Sequence, residues 1–252
     1  FLLWSEHLHR PTRDVDLLGF GENSVGKLED IFGNICRTKV VEDGLVFDAD
    51  SVRGANIRED QEYGGVRVTL AAFLASARIP LQIDIGFGDA ITPGVEAVEF
   101  PLMLSSPALP APKLNAYPRE TVIAEKLEAM VALGMANSRM KDFHDLFTLA
   151  QYFPFEGAVL VRAVQNTFAR RGTPLPGIAP IALTAEFAGD AAKASQWKNF
   201  LKRVSTHVAE PDLTKVIARL TKFLMPVLTA AYDHEKFRKS WAAGKSWRAK
   251  TG

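Results

Sequence analysis

Two aspartates separated by one residue stand in a segment that otherwise has the composition of a β-strand. Asp14 and Asp16 belong to the run DVDLL at residues 14–18, and aspartate is depleted in strands. Because alternate strand residues point to the same face, the two carboxylates would lie side by side and offer oxygen ligands to a hard divalent cation. The same tripeptide is also common at turns and strand ends, where these aspartates would only accept local hydrogen bonds.

A third aspartate interrupts a second apolar segment downstream. Asp84 lies between Ile83 and Ile85 in the run PLQIDIGF at residues 80–87. Burying a lone carboxylate is costly unless a cation compensates its charge. Three carboxylates from two strands can hold one or two Mg²⁺ ions, which bridge nucleotide phosphates and activate a hydroxyl for in-line attack on the α-phosphate. These residues favour a metal site for phosphoryl chemistry.

A lysine lies among apolar residues in the helix predicted from Arg119 to Gly134. The apolar side chains of this helix form one arc at about 100° per residue, with Lys126 in its middle. Glu125 and Glu128 are predicted to project to the opposite, solvated side. Such a lysine can simply extend past its neighbours to water.

Two aspartates lie on the next predicted helix, from Arg139 to Tyr152. Asp142 falls on the apolar stripe of this helix and Asp145 at its edge. In a purely structural role, Asp142 would form a buried ion pair with Lys126, and Asp145 would pair with Lys141 or Arg139 on the surface. The spacing does not decide which aspartate has a function.

These segments resemble a known family. The chain is similar to the nucleotidyltransferase superfamily, and more specifically it looks like the AbiEii/AbiGii type IV toxin family. The matching blocks lie within the first 150 or so residues: Arg10 to Gly19, Gln82 to Asp89, Tyr117 to Ala129 and Arg139 to Leu146. This family normally carries a Gly-Gly or Gly-Ser pair, about ten to fifteen residues before the Asp-x-Asp, that would cradle a triphosphate. We therefore expect the natural chain to begin before Phe1.

The resemblance implies an enzyme that uses Mg²⁺ or Mn²⁺ to transfer a nucleoside monophosphate from an NTP to a hydroxyl. It assigns the metals to three carboxylates, Asp14, Asp16 and Asp84, of which Asp84 shares a metal or acts as the base on the incoming hydroxyl. The other implied site residues contact the nucleotide phosphates or complete the acidic set: Arg13, Lys126, Arg139, Asp142 and Asp145. Asp142 is the first choice for a fourth acidic residue, and Asp145 is the second.

The acceptor that the resemblance implies is RNA, in particular the 3′ end of tRNA, so that translation stops. It also implies an antitoxin encoded nearby, which in type IV systems need not bind the toxin directly. Two alternatives stay open: transfer to a protein hydroxyl by the same site, and a non-catalytic nucleotide-binding or RNA-binding protein with this fold. Retention of the charged residues above argues against the non-catalytic alternative, because unpaired buried charges would be a liability.

Composition favours a cytoplasmic protein without a membrane span. The 252 residues are 47% hydrophobic but include no apolar run of about eighteen residues. The single Cys36 cannot form an internal disulfide, which fits a reducing compartment. Residues 1–113 carry 10 Lys+Arg against 17 Asp+Glu, and residues 114–252 carry 20 against 12. This asymmetry suits a phosphate-rich substrate, although solvated helix faces produce it as well.

The predicted fold class is α+β, with a nucleotidyltransferase-like mixed β-sheet domain followed by a mainly helical domain. Prolines between residues 101 and 112 indicate a linker between the two domains. The domains are therefore predicted at 1–112 and 113–252, and the second contributes Lys126 and Asp142 to the site. Strands are predicted at 14–20, 44–57, 66–75, 81–87 and 95–104. Helices are predicted at 24–35, 119–134, 139–152, 156–171, 191–208 and 213–232.

The basic tail from His234 to Gly252 has two predicted roles. Its lysines and arginines alternate with Trp241 and Trp247, a pattern that could grip RNA phosphates and stack on exposed bases. Alternatively, the tryptophans dock on the protein and the charges stay in water.

Overall fold

The computed structural model describes residues 4, 14–57, 65–102, 110–204 and 210–249. These residues form two compact units. The sheet unit takes residues 14–57 and 65–89, and the helical unit takes residue 4 and the described residues from 90 onward. The division by contacts thus falls after residue 89, whereas the domain boundary predicted from the sequence follows residue 112. That boundary stays a prediction, since contacts alone do not show where an independently folding domain ends.

The sheet unit contains a four-stranded mixed sheet and one helix. Its elements in chain order are β1 (Asp14–Gly19), α1 (Val25–Cys36), β2 (Leu45–Ile57), β3 (Gly65–Leu74) and β4 (Ala77–Phe87). The strand order in the sheet is β1-β4-β3-β2, with β1 parallel to β4 and the other pairs antiparallel. The mixed sheet and the predicted strands of this unit are confirmed.

The two faces of this sheet differ because apolar and polar residues alternate along β3 and β4. Val66, Val68, Leu70, Ile83 and Ile85 point to one face, where they form a core with residues of α1. The residues between them form the opposite, polar face. A two-residue turn at residues 75–76 joins β3 to β4 and pairs their residues from Leu74 and Ala77 outward. A hairpin turn of this length fixes the register of the strands.

Cys36 ends α1 and packs against the core of the sheet unit, as a small core residue should. Partial burial raises the pKa of its thiol above the ordinary value. A thiol that stays protonated is a poor nucleophile, so Cys36 has a packing role.

The helical unit begins with a hairpin and continues as helices with short strands between them. Its elements are β5 (Glu96–Glu99), β6 (Lys113–Ala116), α2 (Arg119–Leu133), α3 (Met140–Tyr152), β7 (Phe155–Glu156), α4 (Gly157–Arg170), α5 (Ala185–Gly189), α6 (Ala191–Leu201), α7 (Leu213–Tyr232), β8 (Lys239–Trp241) and β9 (Trp247–Ala249). The five predicted helices are present, but α6 ends at Leu201 rather than at residue 208, and residues 205–209 lie outside the described part. None of the described helices has the length and apolarity needed to cross a membrane.

The core of the helical unit buries α2 and α3 over most of their circumference. The prediction that Glu128 faces solvent is therefore wrong, because only 5% of this residue is exposed. Its carboxylate accepts hydrogen bonds from Thr173 Oγ1 at 2.5 Å and Arg171 Nη1 at 3.0 Å. Arg171 also pairs with Glu125. These partners follow α4 in the chain, so a helical wheel of α2 alone could not reveal them.

The basic tail docks its tryptophans on the protein and leaves its charges exposed. Trp241 Nε1 donates to the Ala150 carbonyl at 2.7 Å, and Trp247 Nε1 donates to the Phe223 carbonyl at 2.9 Å. Both rings pack against Phe223, while the basic side chains of the tail face water: Lys236, Arg238, Lys239, Lys245 and Arg248. The docking alternative is confirmed, and these tryptophans are not available for stacking on bases.

We expect Trp241→Ala to lower the free energy of unfolding by about 3–5 kcal/mol, because it empties a fully buried aromatic site and removes a satisfied indole hydrogen bond. Chemical denaturation followed by circular dichroism would measure the change. The control is Arg248→Ala on the same hairpin, whose exposed side chain should change stability by less than about 0.5 kcal/mol. Equal stability of both variants would contradict the docked position of the tail.

Candidate active site

The carboxylates of the sheet unit are brought together by the parallel pairing of β1 and β4. In this register Asp16 lies directly opposite Asp84, and Asp14 lies opposite Gln82. Neighbouring strands are about 4.8 Å apart, and residues opposite each other point to the same face. Asp16 is exposed, and Asp84 is about one-fifth exposed. The aspartates of the Asp-x-Asp therefore belong to a strand, and at least one of them lies beside the third carboxylate.

Asp84 is held by an arginine that was not among the predicted site residues. Arg67 on β3 lies opposite Asp84 in the antiparallel register. Its Nε donates to Asp84 Oδ1 at 2.8 Å, and its Nη2 donates to Asp84 Oδ2 at 2.7 Å. This is the two-pronged geometry in which guanidinium and carboxylate interact most strongly. Asp16, Asp84 and Arg67 thus form a row across three neighbouring strands.

Gln82 lies two residues before Asp84 on β4 and points to the same polar face. With its amide oriented to match its neighbours, the Gln82 carbonyl oxygen accepts from Arg67 Nη2 at 3.1 Å and Nε at 3.2 Å. Apolar and polar residues alternate from Val66 to Leu70, and this pattern could have predicted from the sequence that Arg67 lies on the polar face. Its pairing with Asp84, however, depends on the turn at residues 75–76, which carries none of the usual Asn-Gly or Asp-Gly signals.

The donor set on this face fits a divalent cation. Carboxylate oxygens are the ligands that Mg²⁺ prefers, and Asp16 and Asp84 offer them from adjacent strands. Within the described residues, no three Asp, Glu, His or Cys side chains gather as a metal cluster. The Asp14 side chain lies outside that description, as does Arg13. Asp16 and Asp84 are therefore the described residues that could hold a metal, and Asp14 lies two residues before Asp16 on β1.

The helical unit holds a second charged cluster, formed between α2 and α3. Lys126 Nζ lies 2.7 Å from Asp142 Oδ1 and 2.9 Å from Asp145 Oδ2. Both aspartates are essentially inaccessible to solvent, and 14% of the lysine side chain is exposed. Buried carboxylates are stable only when their charges are compensated, and Lys126 supplies a positive charge to both of them.

Two further residues extend this cluster at its ends. Arg139 Nε lies 2.7 Å from Asp142 Oδ2, but its N–H direction does not satisfy a hydrogen bond to that oxygen. At the other end, His144 Nδ1 lies 3.6 Å from Asp145 Oδ1. Arg139 is 42% exposed and His144 is buried. The cluster therefore runs from a solvent-facing guanidinium to an interior imidazole, with Lys126 at its centre.

These contacts decide part of what the sequence left open about the pairing of Asp142 and Asp145. The expected buried pair between Asp142 and Lys126 is present, whereas Asp145, which was expected to pair on the surface, is buried and also contacts Lys126. The two aspartates contact the same ammonium from one helix, separated by three residues and therefore on one face. Which of them has a role in the reaction stays a prediction.

Comparison with known families shows to which family the chain belongs. Residues 1–219 match the family described as "Nucleotidyl transferase AbiEii toxin, Type IV TA system". The chain belongs to this family. It is therefore an AbiEii nucleotidyltransferase, and the strand aspartates of the sheet unit and the lysine cluster of the helical unit both lie within the matched residues.

Two solved structures resemble this AbiEii nucleotidyltransferase at low identity. The crystal structure of JHP933 from Helicobacter pylori is 14% identical, with 91% of this chain and 80% of that chain covered and a TM-score of 0.47. The crystal structure of a candidate nucleotidyltransferase from H. pylori is also 14% identical, with 94% and 86% covered and a TM-score of 0.49. No curated protein matches the chain.

We expect Lys126→Met to lower the free energy of unfolding by about 3–5 kcal/mol, because it leaves two buried carboxylates without their shared cation. Thermal or chemical unfolding would measure this. The matched control is Lys141→Met, an exposed lysine on α3, which should cost less than about 0.5 kcal/mol. Equal stability of the two variants would show that Lys126 does not compensate the buried charges.

Proposed function

We propose that this AbiEii nucleotidyltransferase transfers a nucleoside monophosphate from an NTP to an RNA hydroxyl, specifically at the 3′ end of tRNA, and depends on Mg²⁺ or Mn²⁺. The observation that carries the proposal is the register of β1 and β4, which sets Asp16 directly opposite Asp84. Two carboxylates at adjacent positions on a polar sheet face supply the ligands that a phosphate-bridging divalent cation needs.

In this proposal Asp14, Asp16 and Asp84 hold the metal. A bound cation would neutralise the triphosphate and lower the pKa of the attacking hydroxyl. Asp84 stays partly exposed, so an acceptor hydroxyl can reach it. Its role as the base toward the acceptor hydroxyl is part of the proposal.

We assign the helical unit the remaining roles in the reaction. Lys126 supplies a fixed ammonium for the nucleotide phosphates, and its contacts with Asp142 and Asp145 restrict its position. A positive group that is already oriented costs little reorganisation when negative charge develops on the leaving group. Arg139, which is partly exposed beside Asp142, and Arg13 are proposed to bind phosphate as well.

RNA is preferred over a protein as the acceptor because of the charge that the chain exposes. The described basic residues of the tail remain in water after the tryptophans dock, and residues 114–252 carry 20 Lys+Arg against 12 Asp+Glu. Exposed cations favour a polyanionic partner. Transfer to tRNA would stop translation, which fits a toxin that acts in the cytoplasm and is opposed by an antitoxin without the need for direct contact between the two.

The test is transfer of label from each α-³²P NTP to total tRNA and to total protein. We expect label on tRNA, and at least about a hundredfold loss in Asp16→Asn, because a metal-binding oxygen is removed. Asp16 is exposed, so its substitution should leave the fold intact. The control is Asp50→Asn in the same unit, whose carboxylate is 95% exposed and should not affect transfer.

The outcomes separate the candidate functions. Label on protein in place of tRNA would retain the chemistry and change the acceptor. Absence of label with every NTP and both acceptors would favour the non-catalytic alternative. Full activity of Asp16→Asn would contradict the assignment of the metal site.

Removal of divalent metal gives an independent prediction. We expect EDTA to abolish transfer and added Mg²⁺ or Mn²⁺ to restore it, whereas Ca²⁺, which prefers longer bonds and more ligands, should restore it poorly. The rate of label transfer at increasing free metal concentration is the measurement. Transfer that persists in EDTA would contradict the metal dependence.

A further inference from the structure

The arginine on Asp84 occupies the position at which the proposed metal needs a free carboxylate. Both Asp84 oxygens accept hydrogen bonds from Arg67, at 2.8 and 2.7 Å. A carboxylate bound in this two-pronged manner keeps only part of its lone-pair capacity for another ligand. A cation held between Asp16 and Asp84 would therefore compete with the guanidinium for the same oxygens.

When no metal is bound, the contact between Arg67 and Asp84 compensates the charge of the Asp84 carboxylate. Asp16 and Asp84 are opposite each other on strands about 4.8 Å apart, and two like charges at that separation repel. The Asp84 side chain is also only 22% exposed, so its charge is costly without a partner. Arg67 neutralises this carboxylate from the neighbouring strand, because the hairpin register puts the two residues opposite each other.

We propose that Arg67 is a positioning residue for the metal site, which serves as the internal counter-ion of Asp84 and is displaced, wholly or from one oxygen, when a divalent cation binds. This inference rests on the proposed metal dependence and adds a residue that neither the sequence patterns nor the family match assigns. Its side chain is 43% exposed, so the guanidinium has room to move toward solvent once the cation takes over its role. The need to displace Arg67 lowers the apparent metal affinity. In the metal-free protein, the Arg67–Asp84 pair protects the sheet from carboxylate repulsion.

The experiment measures Mn²⁺ binding to the metal-free protein without any NTP, from the electron paramagnetic resonance signal of the free ion. We expect Arg67→Gln to bind Mn²⁺ about tenfold more tightly than the wild type, equal to about 1.4 kcal/mol, because the competing cation is gone. Arg67→Lys retains the positive charge but cannot form the two parallel hydrogen bonds of a guanidinium. Its Mn²⁺ affinity should therefore lie between those of the wild type and Arg67→Gln.

The matched control is Arg53→Gln. Arg53 lies on β2 opposite Thr69, and thus on the same polar face as Arg67. Its guanidinium donates to the carbonyls of Asp50 and Val52 rather than to Asp84. If Arg67 acts only through the general charge of this face, Arg53→Gln would tighten Mn²⁺ binding as much as Arg67→Gln, and the proposal would be overturned.

Thermal unfolding provides a second readout. Without metal, Arg67→Gln should melt several degrees below the wild type because Asp84 has lost its counter-ion, and saturating Mn²⁺ should raise its melting temperature by more than it raises that of the wild type. An unchanged or weaker Mn²⁺ affinity in Arg67→Gln would overturn the inference.

Asp16→Asn separates failure of this inference from failure of the proposed function. If Asp16→Asn loses Mn²⁺ binding while Arg67→Gln binds as the wild type does, the metal site stands and the role of Arg67 is wrong. If the wild type and Asp16→Asn bind Mn²⁺ equally or not at all, the metal site itself is wrong, and the role of Arg67 fails with it.

Discussion

The parallel pairing of β1 and β4 is the constraint on which the chemistry of the sheet unit depends. A shift of one residue in a strand would move its side chains to the opposite face. Asp16 would then lie on the face that packs against α1, away from the Asp84 side chain. The apolar residues that alternate along β4 and β3 resist such a shift, because Ile83 and Ile85 are anchored among Val66 and Val68. The hydrophobic core therefore fixes the position of the carboxylates without contacting them.

The two charged clusters differ in how far their carboxylates are exposed to solvent. On the sheet, Asp16 is exposed and Asp84 is partly exposed, so a ligand can reach them and the charge on this face can be rearranged. In the helical unit, Asp142 and Asp145 are buried, and the cost of removing Lys126 from them is high. The first arrangement is suited to binding and releasing a cation, whereas the second is suited to holding one ammonium in a constant position. In the proposed reaction the first cluster would bind the metal, and the second would orient a phosphate-binding ammonium.

Much of the fold could be predicted from the sequence. Runs of strand-forming residues located the four strands of the main sheet, and the apolar periodicity of 119–134 and 139–152 located α2 and α3. Charged residues in apolar segments were predicted to have a function because such residues need a compensating partner. They are Asp14, Asp16, Asp84, Lys126 and Asp142. Predictions failed where the partner is distant in sequence. Glu128 was assigned to the solvated side because Thr173 and Arg171, which satisfy it, belong to another segment. The end of α6 and the two-residue β7 carry too few residues for a periodic signal.

The sequence by itself determined which residues must be explained, namely the carboxylates in strands and the charges on apolar helix faces, because propensity and burial cost are local properties of the chain. Only the tertiary structure decided how these charges are paired. Arg67 reaches Asp84 through the register of a hairpin, Lys126 holds two aspartates rather than one, and Trp241 docks on Ala150 instead of remaining exposed. Each of these contacts joins residues that sequence spacing does not relate, since strand register and helix packing are set by the whole hydrophobic core.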